Sequence, residues 1–458
     1  MPPMSVTALD IASLHAAYAR GVTPAAMIDA VYGRIAEIND PGIFIALDDK
    51  EFVLAAAAAL PPFDPLAFPL WGVPFAVKDN IDVAGRMTTA ACPQFAYQAA
   101  GHAAVVARLV AAGALFIGKT NLDQFATGLV GTRTPYPVPR NAFDAARVPG
   151  GSSSGSAVAV AQGIVSFSLG TDTAGSGRVP AGLNHIVGLK PSLGLLSARG
   201  VVPACRTLDC VSIFAASVGD ARRVFETVAA YDPVDPFARK AGKPAIDTLR
   251  RIGVPRSQDR LFFGDKLQEN AFGAALSHVE AVAGPWHEVD LTSFFATARL
   301  LYDGPWVAER RAAIGSFMDD APQAIHPVTR SIVQKADGMS AVDTFNGLYR
   351  LAELKRASDA VWDDIDVLVV PTAPIAPALK DLETDPIGPN SRLGTYTNFV
   401  NLLDLAALAI PGPMRADGFP AGITLIAPRD QDVLLAELGQ RLFPGFGGRR
   451  PAYHLAQG

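Results

Sequence analysis

Two Gly/Ser-rich turns are the first residues whose types and spacing could do chemistry. Gly150-Gly151-Ser152-Ser153-Ser154-Gly155-Ser156 runs into the helical stretch AVAVAQG, and after a strand pattern comes Gly170-Thr171-Asp172-Thr173-Ala174-Gly175-Ser176-Gly177-Arg178. Glycine lets the main chain approach a substrate, and successive amides in a tight turn can aim several N–H donors at one developing negative charge. Oxyanion holes are built in this way. A pair of purely structural turns accounts for the Gly/Ser content equally well. Neither GxxxxGK[ST] nor GxGxxG is present, which argues against a phosphate loop, and the tightly apolar flanks argue against a flexible linker.

The third residue is Lys78, which closes the apolar strand pattern GVPFAVK. Desolvation penalises a charged amine, so a buried lysine gives up its proton near neutral pH and can serve a hydroxyl as base. The alternative is a lysine paired with Asp79 or reaching out to solvent. The seven histidines show no HExxH or HxH spacing, so no metal site is expected. A Ser-His-Asp elbow would need glycine where Thr173 stands. Asp172 and Arg178 read as hydrogen-bonding braces of the second turn.

The elements that must position these residues alternate along the chain. Leu9 to Ala17 and Met27 to Ile35 have helical spacing, and Thr23-Pro24 supplies a cap and a first-turn proline. From Trp71 onward, short apolar runs (GVPFAVKD, ALFIGKTN, VSFSLGTD, HIVGLKPS) alternate with Ala-rich helical stretches at Val105 to Ala112 and Ser156 to Gln162. Further helices are expected at Leu276 to Val282, Phe294 to Ser316 and Leu348 to Trp362, with a strand at Val367 to Val370. This alternation predicts an α/β fold, a large central mixed sheet covered on both faces by helices. The Pro- and charge-rich segment Tyr231 to Lys243 reads as a linker or a surface connection.

Composition supports a loop-punctuated globular protein with a large core rather than a binder of charged polymers. Of 458 residues, half are hydrophobic and 18% charged, with 41 Gly and 36 Pro. The net charge of −5 and the absence of a Lys/Arg run leave no footprint for nucleic acid. Three cysteines without a CxxC pair argue against a disulfide framework, and no N-terminal signal pattern is seen, so a cytoplasmic location is expected. The most apolar stretches are too short and too polar to span a membrane.

The Lys78 strand, the GGSSSGS turn and GTDTAGSGRVPAGLNHIVGLKPS together resemble the amidase signature family. The resemblance implies a Ser-cisSer-Lys triad at Lys78, Ser152 and Ser176, whose separations of 74 and 24 residues follow the family pattern. Ser154 departs from it, since many members carry glycine there. On this reading Ser176 is the nucleophile, Ser152 passes a proton toward neutral Lys78, and the amides of Thr173, Ala174, Gly175 and Ser176 form the oxyanion hole. No cofactor and no metal are implied. The chain is expected to be a single amidase domain over 1–458, with a substrate-specificity subregion around 230–360.

Several segments resemble the allophanate-hydrolase branch of that family: Thr120 to Arg133, Thr207 to Phe214 and Tyr302 to Arg310. Allophanate is a urea bearing a carboxylate, a small anion that calls for one planar cationic fork. The resemblance assigns that role to Arg310, with Tyr302 adding a hydroxyl and the Gly128 backbone lining the other side. The eight-residue spacing brings Tyr302 and Arg310 near one helical face if the helix continues past Pro305. Arg310 paired with Glu309 or Asp303 at the surface is the plain alternative, and Arg133 and Arg311 are rival anion ligands.

The resemblance further implies a homodimer, and urea carboxylase or a separate downstream enzyme as functional partners, in urea or s-triazine (cyanuric acid) nitrogen catabolism. Longer allophanate hydrolases carry a C-terminal product-processing domain, which this sequence is expected to lack. Alternatives are a broader amidase, a glutamine-hydrolysing amidotransferase subunit, or a catalytically silent scaffold.

Overall fold

The computed structural model describes residues 5–6, 9–244, 251–446 and 453–454. Two helices open it, Ile11–Ala19 and Pro24–Ile38. Asp10 caps the first by accepting from Ser13 N at 2.9 Å, and Thr23 caps the second by accepting from Ala26 N at 3.2 Å. Their apolar stripes, Ile11, Leu14, Met27, Ile28 and Val31 among them, are buried in the main core.

The central sheet has eleven strands. In chain order they are β1 (Phe44–Leu47), β2 (Pro74–Lys78), β3 (Leu115–Thr120), β4 (Phe167–Asp172), β5 (Val187–Lys190), β6 (Cys210–Ala215), β7 (Ile252–Pro255), β8 (Trp286–Val289), β9 (Val367–Pro371), β10 (Leu405–Ile410) and β11 (Ile423–Pro428). Their spatial order is β8-β7-β9-β11-β10-β5-β6-β4-β2-β3-β1. The pairs β8·β7, β7·β9, β4·β2 and β2·β3 are parallel and the others antiparallel, which makes the sheet mixed, with helices flanking it. The strands before and after the Tyr231–Lys243 segment share this one sheet.

Parallel pairing of β2 and β4 is what matters for chemistry. Val77 lies opposite Leu169, so Lys78 and Thr171 leave the sheet at the same end. Both strands are buried throughout, the polar Lys78, Ser168, Thr171 and Asp172 included. The helix Ser154–Ala161 lies between the two Gly/Ser turns and is buried on all sides. Small residues make that possible: a Cβ on Gly155 would run into the Ile43 carbonyl and the Asn121 amide. Ser156 satisfies its hydroxyl with Thr120 Oγ1 at 2.7 Å and Leu169 O at 2.9 Å.

Phe294 to Ser316 departs from the single helix expected there. The structure has two helices, Thr292–Asp303 and Trp306–Ile314, parted at Gly304-Pro305. Pro305 has no N–H to continue the ladder and its ring crowds the preceding turn, so the chain restarts. The helix expected around Leu276 begins earlier, at Lys266, because Asp265 caps it through Gln268 N at 3.1 Å. Among the described residues no helix is long and apolar enough to cross a membrane, and no group of three or more His, Cys, Asp or Glu is placed to hold a metal ion.

Candidate active site

Lys78 ends β2 with no exposure to solvent, and its Nζ lies 2.8 Å from Ser152 Oγ and 2.7 Å from Thr171 Oγ1. Asp79 is not its partner: that carboxylate pairs with Lys119 at 3.2 Å. Burial pulls the Lys78 amine down to about 7, against the opposing carboxylates of Asp123, Asp209 and Asp172. The Gly151–Ser152 peptide bond is cis.

The second turn is wound around Asp172. Its oxygens accept from Gly175 N and Gly177 N, each at 2.9 Å, and from Arg178 Nε and Nη2, each at 2.9 Å. Arg178 reaches on to the Thr397 carbonyl and Asn401 Oδ1, so the pair braces the turn as its residue types suggested. The Gly175 amide is committed to Asp172, whereas the Thr173, Ala174 and Ser176 amides have no acceptor among the described residues. Ser176, 2% exposed, donates its hydroxyl to the Gly128 carbonyl at 3.4 Å. No hydrogen bond joins it to Ser152 among the described residues.

Gly128 belongs to a loop organised by Asp123, whose carboxylate accepts from Gly131 N at 3.0 Å and Arg133 N at 2.8 Å. A Cβ on either Gly128 or Gly151 would land on that carboxylate, so both turns need glycine here. Arg133 is spent on structure, donating to the carbonyls of Thr127 at 3.0 Å and Pro386 at 3.2 Å. Arg311 is neutralised by Asp319 at 2.6 Å.

Arg310 is different. It is 1% exposed, its Nη1 donates to Thr127 Oγ1 at 3.0 Å, and its Nε and Nη2 have no hydrogen-bond partner among the described residues. Its guanidinium stacks over the Tyr302 ring with 5.3 Å to the centroid, across the helix break rather than along one helix face. Glu309 turns away to bind Thr207 N and Oγ1 at 2.7 and 2.8 Å. Burial works against the Arg310 charge, but the nearby Cys205, Tyr302, Asp209 and Glu309 hold its proton more tightly than usual. Tyr302 also lines a cavity of about 290 Å³ with Phe263, Phe295, Arg299 and Asn398.

Sequence reasoning missed Thr171, Asp123 and Thr127. A threonine near the end of β4 and an aspartate five residues before Gly128 were within the motifs, but nothing local says which side chain they meet.

A buried Lys–Ser contact beside a glycine-braced serine turn at the end of a mixed sheet defines the class: this chain belongs to the Amidase family, whose profile matches residues 26–436. Over 379 residues, 82% of the chain, it is 47% identical to urea amidolyase of Saccharomyces cerevisiae, and it spans 21% of that protein's length. The solved allophanate hydrolase of Kluyveromyces lactis superposes with a TM-score of 0.90 and 40% identity, covering 97% of this chain and 74% of that one. A glutamyl-tRNA(Gln) amidotransferase subunit of Deinococcus deserti is 33% identical, with 96% of each chain covered.

Proposed function

We propose that this chain hydrolyses allophanate to ammonia and N-carboxycarbamate through an acyl-enzyme on Ser176. The observation that carries the substrate is the Arg310 guanidinium, a buried cation with two donors unpaired among the described residues, tied through Thr127 to the residue whose carbonyl touches Ser176 Oγ. A buried fork of this kind calls for a carboxylate. The likeness to urea amidolyase and to the Kluyveromyces lactis allophanate hydrolase supports the same choice.

In this reading the Ser176 hydroxyl turns from the Gly128 carbonyl toward Ser152. Ser152 takes its proton while passing its own to neutral Lys78, and Ser176 Oγ bonds to the ureido carbonyl carbon. The resulting oxyanion faces the Thr173, Ala174 and Ser176 amides. As the C–NH₂ bond breaks, the proton returns through Ser152 to the leaving nitrogen and ammonia departs. Water then adds to the acyl-enzyme with the same relay as base, freeing Ser176 and N-carboxycarbamate.

The biological setting belongs to the proposal: one amidase unit over 1–458 with its selective residues between 230 and 360, working as a homodimer beside a urea-carboxylating or product-processing partner in urea or s-triazine nitrogen use. The full-length likeness to an amidotransferase component favours a second reading, glutamine hydrolysis.

Ammonia release from allophanate, malonamate, glutamine and a neutral aliphatic amide separates them. Turnover confined to allophanate, abolished by Ser176→Ala and severely weakened by Arg310→Ala, is the expected result. Faster turnover of the neutral amide, indifferent to Arg310, removes the substrate assignment, and preference for glutamine selects the second reading.

A further inference from the structure

Asp209 lies outside the triad and the carboxylate clamp, yet it touches the framework of both. Its Oδ1 accepts from Thr173 Oγ1 at 2.5 Å and from Cys205 N at 3.1 Å, and its Oδ2 accepts from Ala204 N at 2.8 Å. Thr173 supplies one of the unclaimed amides of the nucleophile turn. From the same 204–209 turn, Cys205 Sγ donates to the Trp306 carbonyl at 3.5 Å, and Thr207 binds Glu309 beside Arg310. The Leu208 carbonyl accepts from Asn401 Nδ2 at 3.0 Å, and that same nitrogen holds the Asp172 carbonyl at 2.8 Å.

We infer that Asp209 is a positioning residue, a strut that fixes the Thr173 amide in the oxyanion site relative to the helix carrying Arg310. The inference rests on the amide-hydrolase reading and deepens it. Two fixed points are needed for a substrate held by its carboxylate at one end and attacked at the other, because an error of about 1 Å between them can cost on the order of 100-fold in rate. The 204–209 turn joins those points by three hydrogen bonds on one side and two residues on the other.

Asp209 also lines a cavity of about 410 Å³ with Arg199, Arg206, Asp235 and Phe237. The charged and titratable groups facing it are Cys205 on its own turn, Arg310 from the following helix, Lys78 from β2, and Arg199, Arg206 and Asp235 across the cavity. Desolvation pushes its carboxyl up to about 6. Protonation would place a donor where Ala204 N or Thr173 Oγ1 already donates, and the strut would loosen. Lys78, which must be neutral, titrates at about 7. Two protonations therefore switch the enzyme off in acid, and log kcat should fall with slope one below pH 7 and slope two below pH 6.

The test compares wild type, Asp209→Asn, Thr173→Val, the double variant and Thr173→Ser, on the amide that wild type turns over fastest. The rate of Ser176 labelling by a fluorophosphonate serves as a second readout. The expected result is a 10- to 100-fold lower kcat for Asp209→Asn and for Thr173→Val, with KM within about 2-fold and the double variant no worse than either single one. Thr173→Ser restores the rate. The acid limb of Asp209→Asn has slope one and moves to lower pH, because one of the charges that raise the Lys78 pKa is gone. Wild-type kcat with an unchanged two-step acid limb overturns the inference. So does a loss that merely tracks the fraction of sites labelled. Failure of the allophanate reading appears separately, as a different preferred substrate for wild type.

Discussion

Arg178 and Asp172 meet as a two-pronged pair, Nε to Oδ2 and Nη2 to Oδ1 both at 2.9 Å, and neither side chain reaches solvent. The same carboxylate takes the Gly175 and Gly177 amides, so the turn that presents Ser176 is shaped by one buried anion.

Removing the cation should leave that anion uncompensated. Arg178→Met is expected to cost about 3–5 kcal/mol, the usual penalty for orphaning one member of a buried pair, and to abolish activity with it. Desolvation alone would raise the Asp172 pKa, yet Arg178, Lys190 and the Gly177 amide hold it below the ordinary carboxylate range. Its contribution to stability is thus complete above the unfolded value of about 3.9 and is lost as pH falls through the lowered folded value. Thermal melts of wild type and Arg178→Met at pH 7 and below pH 4 should converge in acid. A variant as stable as wild type at pH 7 would refute this account.

The position of Lys78 sets the pH dependence of the chemical step. If the neutral Lys78 amine is the base, as proposed, its pKa, lowered from 10.5 to about 7, requires kcat to rise with pH through neutrality and level off above it. Lys78→Arg keeps the charge but cannot lose its proton, and is expected to lower kcat by about 10²–10⁴ across the whole range. A rate that Lys78→Arg leaves intact would exclude the lysine as base.

Arg310 predicts a trade between activity and stability. Two buried Arg310 donors, Nε and Nη2, lack a hydrogen-bond partner among the described residues and cost the empty enzyme stability, so Arg310→Met should raise the melting temperature by about 2 °C or more while kcat/KM for an anionic amide falls by about 100-fold. Calorimetry and steady-state kinetics on the same preparation decide it. A lower melting temperature would show that Arg310 holds the fold rather than awaiting a ligand.

Gly128→Ala tests the contact between the two turns. Its Cβ would occupy the place of the Asp123 carboxylate, which must then release Gly131 and Arg133. Loss of kcat with slowed fluorophosphonate labelling of Ser176 is expected, and wild-type labelling would contradict it.

Much of this arrangement was readable from the sequence because its signals are local. The strand ending in Lys78, the glycines of both turns and the cap at Thr23-Pro24 each announce themselves within a few residues. The pairing of Tyr302 with Arg310 was also legible, although a helix break rather than helical periodicity delivers it. What stayed hidden depends on distant partners. That Asp172 accepts from the Gly175 amide depends on how the turn closes, which no local pattern reveals. Thr171 gained meaning only through the parallel register of β4 against β2, and nothing nearby in sequence distinguishes Arg310, which has no ion-pair partner among the described residues, from the paired Arg311.

The parallel ladder of β2 and β4 has a consequence for how such a protein changes over generations. Lys78 and Thr171 are anchored on neighbouring parallel strands within the eleven-stranded sheet, whereas Arg310 rides on a nine-residue helix tied to the 204–209 turn through Cys205 and Thr207. On the proposed reading, bond-breaking and substrate choice are therefore inherited on separate parts of the chain. The helix that carries Arg310 can trade its arginine and so redirect the enzyme to another amide without disturbing the two strands that hold Lys78 and Thr171.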